Sequence, residues 1–368
     1  MNRETKKIMI TGGHITPAIA VADEIRSEKL LWDIVFVGRT TAFEGGGVFT
    51  QEQTTVQKKG IRFIPITTGR IQRAFTIHTI ISVIKIPFGL VQALLILKKE
   101  KPDIVLSFGG YVAFPIVIAA ALFRIPIVTH EQTRQPGLAN RIISVLASKI
   151  CISFEDIKDR FPQNKTVYTG LPIRSEFFTQ FSKDLLNIPY KTHPIIYITG
   201  GSTGSASINA LLFPLVARLV KEYSVIHQVG YQSVDDGERI EHSLPDVLKN
   251  RYIIRDNFDA ATSAWIMRNS SLVIGRAGAN TVMELALLGK TAILIPLPWA
   301  GRDEQKENAL WLKKLGFGSI IEQDSATSDL IYEQILLHMK RQSDHVQNSI
   351  LPRDGAKQVV HQLQLILG

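Results

Sequence analysis

The stretch from Leu272 to Pro296 leaves few options other than a strand, a tight turn, a helix and a second strand. Leu272-Val273-Ile274 is a short apolar run that Gly275 ends. Arg276-Ala277-Gly278-Ala279 is small and glycine-punctuated, so the backbone can turn sharply and a ligand can approach it closely. From Thr281 onward, Val282, Leu285, Ala286 and Leu288 share one helical face. Gly289 stops that helix, and residues 292–295 read as the next buried strand. A helix that begins directly after such a turn presents free N–H groups and the positive end of its dipole, which suits a phosphate. Glu284, near that start, can accept hydrogen bonds from ribose hydroxyls. A plain βαβ unit without a ligand satisfies the same pattern.

The same grammar recurs along the chain. Ile8-Met9-Ile10 runs into Thr11-Gly12-Gly13-His14, with Pro17 in the first turn of the following helix, where its missing N–H costs nothing. Residues 34–37 form a second strand. Residues 102–107 lead into Phe108-Gly109-Gly110-Tyr111 and a helix over 113–122. Residues 126–129 precede a polar loop, His130-Glu131-Gln132, and Gly137-Leu138-Ala139-Asn140 opens another helix. Loops at the carboxyl ends of parallel strands gather at one sheet edge, where open α/β sheets bind ligands, so His14, Tyr111, Glu131 and Asn140 are expected to converge there. Residues 175–194 are polar, proline-bearing and aperiodic, and read as a linker. The pattern then restarts: a strand over 195–199, the turn Gly200-Gly201-Ser202-Thr203-Gly204-Ser205, and a helix over 209–220. That turn's N–H groups, with Ser202, form a candidate pyrophosphate cradle. It is not a Walker loop, since no Gly-Lys-Ser/Thr follows, and its spacing departs from the dinucleotide fingerprint. Residues 301–305 read as a polar loop before a helix over 308–315, and the chain after its last strand reads as helical to Gly368.

The chain has 368 residues, more than one core usually holds, so two domains are expected. The expected boundaries are an N-terminal domain over 1–174, the linker over 175–194 and a C-terminal domain over 195–351, with the last helix, 352–368, packing back on the first. The single cysteine, Cys151, rules out an internal disulfide and fits a reducing compartment. No apolar signal region precedes the first strand. The net charge of +9 favours an acidic partner, and without a basic run of nucleic-acid type that partner is a phosphorylated substrate or an anionic membrane surface. Residues 41–57 read as a polar, glycine-rich loop. Residues 77–97 are strongly apolar, but Lys85, Pro87 and Gly89 argue against a membrane span and for two helical pieces. Bordered by Arg70, Arg73, Lys85, Lys98 and Lys99, they form either an interfacial patch for anionic lipid or an ordinary core helix with solvated ends.

Several of these motifs together resemble the MurG family of glycosyltransferases. They are Thr11-Gly12-Gly13-His14 with Pro17-Ala18, Gly109-Gly110-Tyr111-Val112, His130-Glu131-Gln132 with Gly137-Leu138-Ala139-Asn140, and Gly170-Leu171-Pro172-Ile173-Arg174. In the second half they are Gly200-Gly201-Ser202 with Gly204 and Asn209, Arg276-Ala277-Gly278-Ala279 with Thr281 and Glu284, and Gln305 with Asn308-Ala309. The resemblance covers residues 11 to about 323. Met9-Ile10 stand where the family's first loop has two further glycines, Leu171 where it has Asn, Ala277 where it has Ser, and Glu304 where it has Gln or His.

The resemblance implies the GT-B fold, an α/β architecture of two Rossmann-like domains with parallel sheets facing a cleft. It implies an inverting, metal-independent transfer of N-acetylglucosamine from UDP-N-acetylglucosamine to undecaprenyl-pyrophosphoryl-MurNAc-pentapeptide (lipid I), giving lipid II for peptidoglycan and hence for cell-wall growth, shape and division. His14 is the implied base, its ordinary pKa near 6.5 suiting proton acceptance at neutral pH, with Glu131 its rival or the group that orients the acceptor. Gly12, Gly13, Gly109, Gly110, Tyr111 and Asn140 are the implied acceptor side. Asn140, Arg174, Ser202, Arg276, Gly278, Ala279, Asn280, Glu284 and Gln305 are the implied donor side. No metal or cofactor is implied. The implied place is the cytoplasmic face of the inner membrane, peripherally bound, beside other cell-wall synthesis proteins. Another lipid glycosyltransferase, a UDP-N-acetylglucosamine 2-epimerase and a non-catalytic nucleotide-sugar-binding module are the competing readings.

Overall fold

The computed structural model describes residues 5–39, 51–68, 77–179, 185–186, 192–201, 204–298, 303–340 and 351–368. The segment 41–50, Arg70, Arg73, Ser202 and most of the expected linker lie outside them, as does the side chain of Lys85. The chain divides into two compact units, Met1–Arg174 with Pro352–Gly368, and Ser175–Leu351.

The N-terminal unit carries strands β1 (Lys6–Thr11), β2 (Trp32–Gly38), β3 (Arg62–Pro65), β4 (Ile104–Ser107), β5 (Ile127–Glu131), β6 (Lys149–Ile152) and β7 (Thr166–Tyr168). Its helices are α1 (Ile15–Ser27), α2 (Gln51–Lys58), α3 (Ile77–Glu100), α4 (Gly110–Leu122) and α5 (Leu138–Leu146). The strands pair in the order β3-β2-β1-β4-β5-β6-β7, all parallel. A parallel sheet covered on both faces needs strands that are apolar throughout rather than alternating, and Ile8, Met9 and Ile10 meet that need, each at most 1% exposed. Met9 and Ile10 therefore fill the core of an interior strand, and the loop proper starts at Gly12.

The C-terminal unit carries β8 (Ile195–Thr199), β9 (Ser224–Gln228), β10 (Tyr252–Arg255), β11 (Ser270–Gly275), β12 (Ala292–Leu294) and β13 (Gly318–Ile320). Their order is β10-β9-β8-β11-β12-β13, again all parallel. The helices are α6 (Ala206–Leu212), α7 (Val216–Leu219), α8 (Val234–Ser243), α9 (Asp246–Lys249), α10 (Ala260–Asn269), α11 (Ala279–Leu288), α12 (Glu304–Lys314) and α13 (Ser328–Lys340). The last helix, α14 (Gly355–Leu367), belongs to the N-terminal unit. Its Val359, Val360 and Leu363 join the core that Ala18, Ile19, Val21, Ala22 and Ile25 of α1 form with the sheet.

Five expectations are corrected. Residues 51–58 are the helix α2 rather than loop; its single fully buried apolar side chain, Val56, leaves no apolar stripe to read. Residues 77–100 are one helix rather than two pieces. Pro87 lies inside it, since a proline's fixed φ is helical and only one hydrogen bond is lost. The expected helix over 209–220 breaks into α6, a 3-10 turn at Phe213–Leu215 and α7, because Pro214 cannot donate there. His130 and Glu131 end strand β5 rather than standing in a loop. Glu304 and Gln305 form the first turn of α12 rather than a loop. Among the described residues no helix is long and apolar enough to cross a membrane.

Candidate active site

Each sheet reverses its strand order once. In the N-terminal unit the chain builds outward from β1 through β2 to β3, then returns to add β4 on the other side, so the reversal lies between β1 and β4. In the C-terminal unit it lies between β8 and β11. At such a point the segments leaving the two strands diverge to opposite faces and open a crevice at the strands' carboxyl ends. Four of the glycine turns singled out in the sequence leave these four strands.

In the N-terminal unit the two turns are joined to one another. Phe108 N donates to Thr11 O at 2.7 Å and Gly13 N to Gly109 O at 3.2 Å, which continues the β1–β4 pairing into the loops. The close approach needs glycine at position 12, where a Cβ would lie 2.8 Å from the Phe108 backbone. Gly109 has φ +71, and a Cβ there would stand 2.2 Å from the Asn140 side chain. Asn140 fills that space. Its Oδ1 accepts from Gly110 N at 2.9 Å, and its Nδ2 donates to Glu131 Oε2 at 2.6 Å. The other carboxylate oxygen, Oε1, accepts from Thr133 N at 2.9 Å and from Thr133 Oγ1 at 2.7 Å. A chain of bonds thus runs from Thr133 through Glu131 and Asn140 to the second glycine turn.

Glu131 is 2% exposed, and burial pushes its carboxyl pKa up against the pull of these donors. Both its oxygens are taken by groups of this chain, an arrangement that holds Asn140 rather than one that faces outward. His14, at the N-cap of α1, is half-buried, and its side chain does not cap the helix. Burial pulls its imidazole pKa down to about 4. Gly13 beside it is exposed, and nothing lies within 4 Å of where its Cβ would be. Tyr111, half-buried in the first turn of α4, has the Arg39 guanidinium 5.5 Å from its ring centroid. His130, the neighbour of Glu131, is fully buried and bonds the Gly170 carbonyl through Nε2 at 3.1 Å, tying β5 to the end of β7. The structure therefore brings Gly12, Gly13, Gly109, Gly110, Asn140 and Glu131 together, with His14 and Tyr111 on the same two turns.

In the C-terminal unit the turn after β8 is held from below. Gln228 at the end of β9 donates through Nε2 to Gly201 O at 2.8 Å, and Tyr197 OH donates to Gln228 Oε1 at 3.1 Å. Gly204, with φ +75, packs so closely on the next loop that a Cβ would meet Val229 O at 2.4 Å. Beneath it, Asn209 Nδ2 donates to Val229 O at 2.8 Å, which leaves Asn209 Oδ1 as the acceptor for His227 Nε2 at 3.1 Å. His227 Nδ1 then accepts from Tyr252 OH at 3.1 Å. Sequence reading did not single out Gln228 or His227. Both sit inside an apolar strand pattern and reveal themselves only as polar residues with no surface to face.

The turn after β11 carries Arg276, which is 7% exposed. It reaches across the strand-order reversal to Ser205 Oγ at 3.0 Å and Ser207 Oγ at 2.6 Å, both on the β8 side. Gly278 is the N-cap of α11, half-buried, with open space where its Cβ would be, so the first N–H groups of the helix are accessible. Ala279 and Asn280 begin that helix, and Glu284 is buried in its second turn. Asn308 of α12 donates to Ala277 O at 3.1 Å and pins the turn. Gln305 Oε1 accepts from Leu297 N at 3.1 Å. Arg174 is the half-buried last residue of the N-terminal unit. Among the described residues no cluster of three or more His, Cys, Asp or Glu side chains could hold a metal ion.

The arrangement amounts to two half-sites of unlike chemistry. One offers an imidazole beside exposed glycine backbone, the other a buried cation and a helix start that suit an anion. Comparison with known proteins finds matches to both units. The glycosyltransferase family 28 N-terminal domain matches residues 11–152, and its C-terminal domain matches residues 195–363. The chain is 35% identical over 332 residues, 87% of its own length and 84% of the relative's, to the UDP-N-acetylglucosamine–N-acetylmuramyl-(pentapeptide) pyrophosphoryl-undecaprenol N-acetylglucosamine transferase of Treponema denticola. Among solved structures, MurG of Acinetobacter baumannii superposes with TM-score 0.67 at 25% identity, covering 98% of this chain and 99% of that one. The UDP-GlcNAc 2-epimerase of Neisseria meningitidis superposes with TM-score 0.65, covering 98% and 100%, but at 14% identity it shares the fold alone. The chain belongs to the MurG family within glycosyltransferase family 28 and is a hexosyltransferase.

Proposed function

We propose that this protein transfers N-acetylglucosamine from UDP-N-acetylglucosamine to the MurNAc hydroxyl of undecaprenyl-pyrophosphoryl-MurNAc-pentapeptide, the step that completes the lipid-linked precursor of peptidoglycan. The observation that carries the reading is the pair of strand-order reversals. Each is flanked by two glycine turns with the family's residues on them, His14 in one half and Arg276 in the other.

The reaction joins the acceptor oxygen to the anomeric carbon of the donor sugar and breaks that carbon's bond to the diphosphate, so UDP leaves and the configuration inverts. The acceptor proton goes to His14. Burial keeps the imidazole neutral at pH 7, hence able to accept. The acceptor's pyrophosphate beside it raises the basicity of the ring once bound, as an opposite charge does for any imidazolium. Glu131 and Asn140 act through position: they fix the Gly109–Gly110 turn, which is bonded backbone to backbone to the turn that leads to His14. Charge on the departing UDP falls on the N–H groups at the start of α11, on the turn after β8 that includes Ser202, and on Arg276. Glu284 with Asn280 holds the ribose, and Gln305 the sugar. The chemistry runs without a metal ion or cofactor.

The acceptor is a lipid, and the N-terminal unit has a surface suited to a bilayer. Phe88, Val91 and Leu95 of α3, Leu122 at the end of α4, and Leu138, Ile142 and Val145 of α5 are all exposed. The spacings i, i+3, i+7 and i, i+4, i+7 place each set on one helical face. α4 packs against both α3 and α5, and Lys98, Lys99, Arg124 and Arg141 are exposed among these residues. Apolar side chains rimmed by cations suit peripheral docking on an anionic leaflet at the cytoplasmic face.

Incubating the purified protein with UDP-N-acetylglucosamine and a short-chain lipid I analogue tests the reading. UDP release that requires the acceptor, and that persists in chelator, is expected. Formation of UDP-N-acetylmannosamine without acceptor would replace it with epimerisation.

A further inference from the structure

Arg276 is held in an unusual way for a buried guanidinium. Its Nη1 donates to Ile295 O at 2.9 Å, and its Nη2 lies within reach of Ser205 Oγ, Ser207 Oγ and Gln323 Oε1, the last at 2.6 Å. Every one of these partners is neutral. Among the described residues no carboxylate pairs with Arg276, and burial holds its pKa below the ordinary arginine value with no opposing charge. A buried cation without a counter-ion is costly, and proteins commonly offset it with a bidentate carboxylate. Here the position that would supply one carries the neutral isostere. Gln323 follows β13 in the 3-10 turn Gln323–Ser325 and is half-buried. It also accepts from Ser207 Oγ at 3.3 Å. Its neighbour Glu322 is turned away and pairs with Lys306 at 2.9 Å. The acid stands one residue from the cation's anchor point and is directed elsewhere.

We propose that Gln323 is a positioning residue for donor binding: its neutral amide oxygen fixes the Arg276 guanidinium across the β8–β11 reversal without cancelling its charge, which is left for the donor's diphosphate. This rests on the donor-side reading of Arg276 given above. The amide does two things that a carboxylate could not combine. It accepts from both Nη2 and Ser207, so the guanidinium keeps one orientation toward the turn after β8. It also contributes no charge, so the field of the cation at the reversal is undiminished by an ion pair. A carboxylate at position 323, beside Arg276, would be ionised and would neutralise it.

The test compares binding of UDP with binding of uridine, which keeps the nucleoside and lacks the phosphates, in the wild type, Gln323→Glu and Gln323→Met. Gln323→Glu keeps the acceptor geometry and adds the charge. Its Kd for UDP should rise about tenfold, the loss expected when a charge-assisted contact is neutralised, while its Kd for uridine changes less than about twofold. Its melting temperature should not fall, because the new ion pair relieves a buried charge. Gln323→Met removes the acceptor that orients the guanidinium but adds no opposing charge, so its Kd for UDP should rise by about three- to fivefold, less than in Gln323→Glu, with its Kd for uridine unchanged. Equal weakening of UDP and uridine in Gln323→Glu, or unchanged UDP binding, overturns the proposal. If Gln323→Glu does not fold, Gln323→Met decides alone: UDP binding unchanged in it, or UDP and uridine weakened equally, overturns the proposal. Arg276→Gln separates the levels. UDP binding weakened by Arg276→Gln but untouched by Gln323→Glu removes only the role of Gln323, whereas a wild type that binds neither UDP nor UDP-N-acetylglucosamine removes the donor reading beneath it.

Discussion

The two strand-order reversals share a topology and differ in what holds them. In the N-terminal unit the turns after β1 and β4 are bonded backbone to backbone, and the second is braced by an amide and a carboxylate, Asn140 and Glu131. In the C-terminal unit the turns after β8 and β11 are bridged by a side chain, Arg276, among neutral acceptors. The braced half carries a buried carboxyl group and a neutral imidazole, and the bridged half carries a buried cation among neutral partners. One fold therefore presents an imidazole at one crevice and a buried cation at the other, and the difference lies in a few side chains on equivalent turns.

Removing His14 should break the comparison most severely. His14→Ala is expected to lower kcat by about 10²–10⁴-fold, the usual range for a general base, with the Kd for UDP within about twofold of wild type. Single-turnover rates with both substrates, measured beside UDP binding, decide it. An unchanged rate would leave the N-terminal half without a base, and a parallel loss of UDP binding would mean that the halves are not chemically separate.

A smaller loss is expected from Gly109→Ala. The residue has φ +71, and its new Cβ would stand 2.2 Å from the Asn140 side chain, so Asn140 must leave Gly110 and Glu131. A strained φ and a buried polar group left unpaired together cost about 2–4 kcal/mol. Thermal unfolding should register that loss, and the acceptor KM should rise about tenfold while the donor KM stays put. A donor KM that moves equally would show that the brace serves both substrates.

Much of this was legible in the sequence for a physical reason. Parallel strands buried on both faces must be continuous apolar runs, and turns at their ends must be small, so Ile8-Met9-Ile10 with Gly12-Gly13 and Leu272-Val273-Ile274 with Gly275 announce themselves locally. What was not legible depends on partners far along the chain. Glu131 reads as a loop acid, a rival base or the group that orients the acceptor, but the structure puts it at the end of β5 with Asn140 on one oxygen and Thr133 on the other. Gln323 follows an ordinary strand, and nothing near it in sequence says that Arg276, 47 residues earlier, is its partner. Helix α2 carries no apolar stripe because it buries a single apolar side chain fully, and Pro87 reads as a break between two helical pieces although a proline costs a helix one hydrogen bond and its fixed φ is helical.

The smallest expected effect is a pH dependence that stays flat. A histidine of ordinary pKa is about three-quarters protonated at pH 6 and would have lost most of its power as a base there. Burial lowers His14 to about 4, so the free enzyme carries the neutral ring throughout the range from pH 7 to pH 6. Its contribution to kcat/KM should fall by less than about 10% between those values and drop only as pH approaches 4. Glu131 titrates in the same direction: burial raises its carboxyl pKa, and protonation removes an acceptor from Asn140 or Thr133, so it too weakens the N-terminal half as pH falls. Glu131→Gln separates the two groups. It fixes position 131 as uncharged, so any acid limb left in its kcat/KM profile belongs to His14 and should lie near 4. A limb near 6.5 in that variant would mean that His14 is hydrated in the working enzyme. The contrast would then rest on the braced carboxylate rather than on a sheltered imidazole.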